Sequence, residues 1–207
     1  MRLDHFRGLA GYWRVNGNSK TAICGNWINS PGKTLLNKLK IDLGTDYLPI
    51  IAEDLGVITP DVEKLRRNFE LPGMKILQFA FDGNEDNPYL PKNIKGENWV
   101  VYTGTHDNST SISWWEGLDN NSQKRIKDEY NFSENPSWSL IEIGMSRNAN
   151  LFIDPIQDIL SLDDSSRLNI PGTTKNNWKW KINQPLEEIE EDIKRFSELG
   201  NNFGRTR

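Results

Sequence analysis

Short apolar segments alternate with amphipathic segments along the chain. Four segments carry apolar residues at nearly every position and are rich in β-branched or aromatic side chains, which is typical of strands buried on both faces of a parallel sheet. Each of them ends on a carboxylate, and they span residues 48–54, 74–82, 99–107 and 151–158. The pattern predicts a strand in each segment. Residues 2–4 (RLD) are predicted to be the end of a further strand.

The segments between these strands have helical patterns. Residues 59–69 offer Thr59 as an N-cap and Pro60 at the first helical position. Residues 185–200 begin with acidic residues and end at Gly200, which predicts a helix closed by that glycine. One face of this second helix carries an apolar stripe of Leu186, Ile189, Ile193, Phe196 and Leu199. Alternating strands and helices indicate βαβ units, and therefore a parallel sheet with crossover helices.

The spacing of the strand-ending carboxylates favours one α/β fold. Glu53 and Asp82 are 29 residues apart, and Asp82 and Asp107 are 25 apart, which is the length of a βαβ unit. The sequence therefore predicts a single domain over residues 1–207. We expect it to be the C-terminal portion of a (β/α)8 TIM barrel, with about five strands and their helices and with the N-terminal strands missing. A doubly wound open sheet is the alternative, but no glycine-rich phosphate loop follows a strand.

Composition narrows the classes of partner. A net charge of −4 argues against nucleic acid and anionic membranes as partners and favours a neutral substrate. One cysteine, Cys24, excludes an internal disulfide and suits a reducing compartment. No apolar run is long enough for a signal peptide or a membrane span, so a cytoplasmic location is expected. The eight Trp, eight Phe and five Tyr indicate either a binding surface or ordinary core anchors.

Carboxylates at strand ends are the first candidates for catalysis, because barrel active sites lie at the C-terminal ends of the strands. Arg2 and Asp4 are two residues apart, so they lie on one side of a strand, and the guanidinium would keep Asp4 ionised as a nucleophile requires. Glu53 follows apolar residues, and burial would raise its pKa to suit a general acid. Structural alternatives remain: an Arg–Asp pair at a barrel rim, and a carboxylate that precedes the helix of residues 59–69.

A third candidate group ends the strand of residues 99–107. His106, Asp107 and Asn108 offer hydrogen bonds to hydroxyl groups and one further negative charge, although a His–Asp pair alone is weak evidence. One ionised and one protonated carboxylate are the minimum for cleaving a glycosidic bond, and a third negative charge can stabilise the oxocarbenium-like transition state. Metal binding competes as an explanation, but two histidines and no aspartate-rich loop of calcium spacing make it weak. No metal or other cofactor is expected.

Five motifs follow one another between Met1 and about Lys181: RLDHFRG, AEDLGVITPDV, LPGMKILQFAFD with NPYLP, YTGTHDN and RLNIPGTTKNNWKWK. Together they resemble the 4-alpha-glucanotransferases, also called amylomaltases or disproportionating enzymes, which form glycoside hydrolase family 77 of the alpha-amylase superfamily. The resemblance implies a (β/α)8 barrel and a retaining mechanism that transfers α-1,4-glucan segments to sugar acceptors. It implies α-1,4-glucans and maltooligosaccharides as substrates.

The resemblance also implies a role for each motif residue. Asp4 corresponds to the nucleophile, Glu53 to the general acid/base and Asp107 to the stabiliser of the transition state. Further motif positions are implied to bind substrate: Arg2, His5, Asp54, His106, Asn108 and Asn169.

Residues 11–32 resemble a loop insertion of the family and are expected to supply Tyr12, Trp13 and Trp27 to the acceptor site, with Trp27 as the candidate for sugar contact. Three positions depart from the residues expected in many members, without removing a catalytic group: Asn26, Lys92 and Ser109.

The resemblance covers only the C-terminal part of such an enzyme. We therefore expect a truncated or split product whose chemistry belongs to a longer chain, with a missing N-terminal half as a possible partner. Two alternatives remain open. One is a catalytically inactive remnant that at most binds glucan, and the other is an alpha-glucan hydrolase.

Overall fold

The computed structural model describes residues 1–205. The described part of the chain divides into two compact units, the first formed by residues 1–74 and 98–100 and the second by residues 75–97 and 101–205. The strands are β1 (Arg2–Leu3), β2 (Gly11–Val15), β3 (Gly25–Asn29), β4 (Ile51–Ala52), β5 (Gly73–Ile76), β6 (Trp99–Tyr102) and β7 (Leu151–Ile153). The helices are α1 (Gly32–Leu43), α2 (Pro60–Asn68), α3 (Ser111–Glu116), α4 (Asn120–Tyr130), α5 (Pro136–Met145), α6 (Ile156–Ile159) and α7 (Leu186–Asn202).

Two parallel strands form the centre of the first unit. β1 pairs with β4, with Arg2 opposite Ile51 and Leu3 opposite Ala52. This confirms the predicted strand end at residues 2–4 and its parallel orientation, although β4 is much shorter than the predicted segment of residues 48–54. The core beside these strands consists of Phe6, Leu36, Leu48, Ile50, Ala52, Val62, Leu65, Phe69 and Leu71.

An antiparallel hairpin occupies residues 11–29, where the sequence predicted a loop insertion. β2 and β3 pair with Trp13 opposite Trp27, and the two indole rings meet edge to face at 5.5 Å. A Cβ on Gly25 would lie 2.5 Å from the Arg14 carbonyl oxygen, so the hairpin leaves no room for a side chain there. The signal for the hairpin is an aromatic-containing run on each side of residues 16–24, a largely polar connection that contains Gly17.

A three-stranded sheet has the strand order β5-β6-β7. β5 ends at Ile76, and a 3₁₀ turn at Leu77–Phe79 follows, so the predicted strand over residues 74–82 is wrong in its second half. Asp82 lies in the turn beyond, where its Oδ1 accepts a hydrogen bond from the Asn84 amide. The apolar run continues past the strand because the 3₁₀ turn is itself mostly buried, and hydropathy cannot mark where a buried strand stops.

The two predicted helices are present with different ends. α2 begins after Thr59 as predicted, but the Thr59 side chain makes no capping bond and instead accepts from Arg7. α7 runs to Asn202, so the predicted end at Gly200 is wrong. Gly204 is the glycine that follows the helix with a left-handed backbone, at φ 65°. A glycine ends a helix only where it adopts that conformation.

α7 packs part of its predicted stripe in the second unit. Ile189 is buried, and Phe196 and Leu199 pack against a cluster of Trp138, Ile141, Met145 and Ile159. Leu186 and Ile193 are exposed instead. None of the helices in residues 1–205 is both long and apolar enough to cross a membrane.

Candidate active site

Arg2 and Asp4 form the predicted pair at the end of β1. Arg2 Nη2 donates a hydrogen bond of 2.6 Å to Asp4 Oδ1. The Asp4 side chain is 80% exposed and that of Arg2 is 29% exposed. The guanidinium therefore orients a carboxylate that remains open to a substrate from solvent, which suits a nucleophile.

The backbone of His5 links Asp4 to Glu53. His5 has a left-handed conformation (φ 47°, ψ 51°), and its amide donates a hydrogen bond of 2.6 Å to Glu53 Oε2. The Leu55 amide donates to the other oxygen, Oε1, at 3.1 Å. A non-glycine residue in this region costs roughly 1–2 kcal/mol, and such strain persists only where surrounding contacts hold it. Glu53 is half-buried rather than enclosed, and main-chain amides orient both oxygens of its carboxylate.

Glu53 is positioned by its own backbone as well. Its amide donates to the Leu3 carbonyl oxygen, and its carbonyl oxygen accepts from the Phe6 amide, both at 3.0 Å. These bonds continue the pairing of β1 with β4 by one residue. Asp4 and Glu53 therefore follow the carboxyl ends of two neighbouring parallel strands, the place where a barrel enzyme holds its catalytic groups.

Asp54 faces the interior of the first unit. Its Oδ2 lies 3.1 Å from Arg66 Nε in an ion pair that lacks good hydrogen-bond alignment, and the two side chains are 8% and 4% exposed. Its Oδ1 accepts a hydrogen bond of 2.7 Å from the Met74 amide. Arg66 also lies 4.3 Å over the Trp99 ring, and burial lowers its pKa against the opposing effect of Asp54. The structure does not bring the Asp54 carboxylate to the surface with Asp4.

Trp27 stands against Arg7, a residue that the sequence predictions left out. The Arg7 guanidinium lies 4.3 Å from the centre of a Trp27 ring, and its Nη1 donates to the Val57 carbonyl and to Thr59 Oγ1, both at 3.0 Å. Trp27 remains 55% exposed. The cation thus orients the indole while leaving much of it open. The position of Arg7 inside the RLDHFRG motif is the signal that could have identified it.

In the second unit, Asp107 is held by three neighbours. Asn169 Nδ2 donates a hydrogen bond of 2.5 Å to Asp107 Oδ1, and His106 Nε2 lies 3.2 Å from Oδ2. Arg167 Nη2 donates to the Asp107 carbonyl oxygen at 2.7 Å. Both carboxylate oxygens of Asp107 therefore have a fixed partner, while the side chain remains about half exposed. The structure thus brings together three of the predicted site residues, His106, Asp107 and Asn169, and places Arg167 beside them.

The remaining residues of this segment shape its backbone. Asn108 Oδ1 accepts from the Thr105 amide at 2.9 Å and from Thr105 Oγ1 at 2.8 Å, so this oxygen closes a turn. Ser109, one of the departures noted in the sequence, is bonded at Oγ by Arg167 and at its carbonyl oxygen by Gln78. Trp178 lies 5.1 Å from the His106 ring and is 63% exposed.

Sequence reasoning missed Trp178 as well as Arg167, although both belong to the motif RLNIPGTTKNNWKWK. Between residues 1 and 205, no three side chains of His, Cys, Asp or Glu are grouped closely enough to hold a metal ion.

Comparison with known sequences gives one family. The sequence model described as 4-alpha-glucanotransferase, glycoside hydrolase family 77, matches residues 1–187. A 4-alpha-glucanotransferase of Synechocystis sp. is 48% identical over 183 residues, which are 87% of this chain and 36% of that protein. The enzyme of the same name from Thermus thermophilus is 42% identical over 190 residues, 88% of this chain and 38% of that protein. The chloroplastic/amyloplastic one of Solanum tuberosum is 43% identical over 208 residues, 99% of this chain and 36% of that protein.

One solved structure agrees with this result, and a second shares the fold. The amylomaltase of Streptococcus agalactiae in complex with acarbose matches 100% of this chain with a TM-score of 0.91 and 32% identity. The amylomaltase of Corynebacterium glutamicum matches 96% with a TM-score of 0.68 and 16% identity, which shows a likeness of fold alone. The chain covers 41% and 35% of these two structures, respectively. It thus spans little more than a third of the length of the proteins it matches.

Proposed function

The chain belongs to the 4-alpha-glucanotransferase family, glycoside hydrolase family 77, and from that premise we propose that it carries the catalytic carboxylates of an enzyme that transfers α-1,4-glucan segments to a sugar acceptor. One observation carries the proposal. Two carboxylates, Asp4 and Glu53, follow neighbouring parallel strands and are linked through the amide of His5. They differ in surroundings, because a guanidinium accompanies Asp4 while backbone amides accompany Glu53.

In the proposed reaction, Asp4 and Glu53 share the chemistry of a retaining transfer. The Asp4 carboxylate attacks the anomeric carbon of the donor while Glu53 gives its proton to the leaving glycosidic oxygen. A covalent glycosyl ester on Asp4 results. Glu53, now ionised, then removes the proton from an acceptor hydroxyl, whose oxygen displaces Asp4 and restores both groups. Arg2 orients the Asp4 carboxylate through the 2.6 Å bond.

Asp107 is proposed to stabilise the positive charge of the transition state. A preorganised charge lowers a barrier because it does not have to reorient during the reaction. The bonds from Asn169 and the neighbouring His106 support this role, since they hold both oxygens of Asp107 in place. His106 and Asn169 are further proposed to contact sugar hydroxyls, as the family resemblance implies.

The proposed substrates are α-1,4-glucans and maltooligosaccharides. The complex of the Streptococcus agalactiae amylomaltase with acarbose supports a sugar-like ligand for this chain. The open part of Trp27 suits the apolar face of a sugar ring and would help to exclude water, as transfer to a sugar rather than to water requires. We also propose that residues 1–207 form one C-terminal barrel portion of about five strands. A cytoplasmic location stays a prediction.

A chimera tests the proposal. The chain replaces the matching 183 residues of the Synechocystis relative, and the product is incubated with maltotriose. We expect glucose and longer maltooligosaccharides, with no net rise in reducing ends. Glu53→Gln should lower the rate roughly 10²–10⁴-fold, because the acid/base proton is lost. Glu63→Gln, on the solvent side of α2, is the matched control and should leave the rate unchanged.

Each of the following outcomes would contradict the proposal. A net rise in reducing ends would identify a hydrolase. A folded but inactive chimera would identify a remnant that at most binds glucan. Full activity of the Glu53→Gln chimera would remove Glu53 from the acid/base role.

A further inference from the structure

A pair of acidic side chains in the second unit shares one hydroxyl group. Asp154 directly follows β7, and Asp158 lies on α6. Thr103 directly follows β6, and its Oγ1 lies 2.5 Å from both Asp154 Oδ1 and Asp158 Oδ2. Thr103 and Asp158 are fully buried. Asp154 is partly exposed as a residue, yet its Oδ2 atom is inaccessible to solvent.

The number of protons in this group is limited. The hydroxyl of Thr103 has one proton, so it can donate to only one of the two carboxyl groups. The other contact of 2.5 Å requires a proton on the acid itself. One of the two aspartic acids must therefore be neutral.

The other contacts decide which acid is neutral. The Ser111 amide donates 2.7 Å to Asp158 Oδ1, and Ser111 Oγ lies 2.7 Å from Asp158 Oδ2. Two donors besides Thr103 favour the ionised form of Asp158. Asp154 Oδ2 has no hydrogen-bond partner in the described part of the chain, which a neutral acid tolerates far better than an anion does. The Asp154 hydroxyl thus donates to Thr103, and the Thr103 hydroxyl donates to Asp158.

The pKa directions agree with this order. Burial raises the pKa of Asp154 well above its ordinary value, and the nearby charge of Asp158 raises it further, against the Thr103 bond. Burial also raises the pKa of Asp158, and Asp164 adds to this effect. The bonds from Ser111 and Thr103 oppose it.

We propose that Asp158 is a positioning residue for Asp107. Asp154 acts as a neutral acid that completes the chain of hydrogen bonds from Asp154 through Thr103 to Asp158. The role of Asp107 in this statement rests on the proposed function. Thr103 and Ser111 bracket residues 104–110, the segment that carries Asp107. Both ends of that segment are held by one carboxylate. An ionised Asp154 would place two anions against one hydroxyl group and weaken that hold.

Infrared difference spectroscopy on the 207-residue chain tests the proton assignment. At neutral pH, a protonated carboxyl group absorbs apart from carboxylates, and Asp154→Asn should remove one such band. Asparagine keeps a donor toward Thr103, so the variant should remain folded. Asp128→Asn, on the exposed face of α4, should leave the band intact. A band that persists in Asp154→Asn, or that is absent from the original chain, would overturn the assignment.

Kinetics in the chimera test the positioning role. Thr103→Val keeps the shape of the side chain but removes the hydroxyl, whereas Thr103→Ser keeps the hydroxyl. We expect the valine variant to lose roughly tenfold in kcat with little change in KM, because Asp107 acts in the transition state, and the serine variant to stay near the original kcat. Equal kcat values for the two variants, or a loss confined to KM, would overturn the positioning role.

The infrared and kinetic experiments together distinguish a failure of this inference from a failure of the proposed function. The infrared result requires no enzymatic activity. An inactive chimera together with the expected loss of the band would contradict the proposed function and the role of Asp107, and would leave the proton assignment established.

Discussion

At the scale of single residues, the site is organised by main-chain groups as much as by the side chains that the motifs display. Glu53 receives hydrogen bonds from the amides of His5 and Leu55. His5 also has a left-handed backbone. That conformation turns the chain after His5, where the Phe6 amide donates to the Glu53 carbonyl oxygen.

Paired substitutions at His5 test the importance of this conformation. His5→Gly and His5→Ala both retain the amide and both lose the imidazole. Only glycine, which has no Cβ, adopts a positive φ without a steric clash. We expect the glycine chain to be more stable by about 1 kcal/mol, although glycine usually destabilises regular structure. Denaturant unfolding of the two chains measures the difference, and the reverse order would show that His5 is not under strain.

At the scale of elements, a buried ion pair joins the end of β4 to α2 and to the start of β5. Asp54 contacts Arg66 on α2 and the Met74 amide on β5, and Arg66 Nη1 donates to the Leu71 carbonyl. Gly73 lies against this pair. A Cβ there would come within 2.4 Å of Asp54 Oδ2 and 2.7 Å of Trp99. Glu53 precedes Asp54, so the same contacts support the acid/base candidate.

Gly73→Ala should therefore destabilise the first unit. The added methyl group must displace a carboxylate that is already fixed by two partners, and overpacking of this kind costs about 1–3 kcal/mol. Gly17→Ala is the matched control, because a Cβ at Gly17 meets nothing within 4 Å. Denaturant midpoints of the two variants give the comparison. A Gly73→Ala chain as stable as the control would mean that the Asp54 pair is free to move.

At the scale of the whole molecule, the buried acids make stability depend on pH. The folded-state pKa of Asp154 is raised above the ordinary 3.8 of an unfolded chain, because of burial and of the charge on Asp158. Above pH 3.8 the unfolded chain releases this proton while the folded chain keeps it. The unfolded state then binds fewer protons, so the free energy of unfolding decreases as pH rises toward the folded-state pKa.

Asp154→Asn removes this contribution. We expect the variant and the original chain to differ little in pH response below about pH 4, and the variant to gain stability relative to the original as pH rises from about 4 toward the folded-state pKa of Asp154. The free energy of unfolding, measured across that pH range, gives the difference in stability between the two chains at each pH. Asp128→Asn should show no such trend. A difference in stability that does not change with pH would mean that Asp154 is ionised in the folded chain.

Prediction and structure agree where a short-range pattern is specific to one local conformation. The Arg2–Asp4 pair and the start of α2 were predictable, because strand alternation and the position of Pro60 act over a few residues. The second half of the predicted strand at residues 74–82 was not, because the buried 3₁₀ turn that follows β5 has the same hydropathy as a strand. The hairpin of residues 11–29 was missed although its aromatic runs and turn residues lie in the sequence.

The sequence by itself determined which chemical groups the chain offers and in what order: the carboxylates Asp4, Glu53 and Asp107 within motifs that identify the family. Tertiary structure alone decided which acids face the interior and which carry protons. Asp54 is engaged by Arg66 and Met74, and Asp154 by Thr103, which lies 51 positions away. Burial and hydrogen-bond partners set the charge of an acid, and both come from residues that only folding brings near.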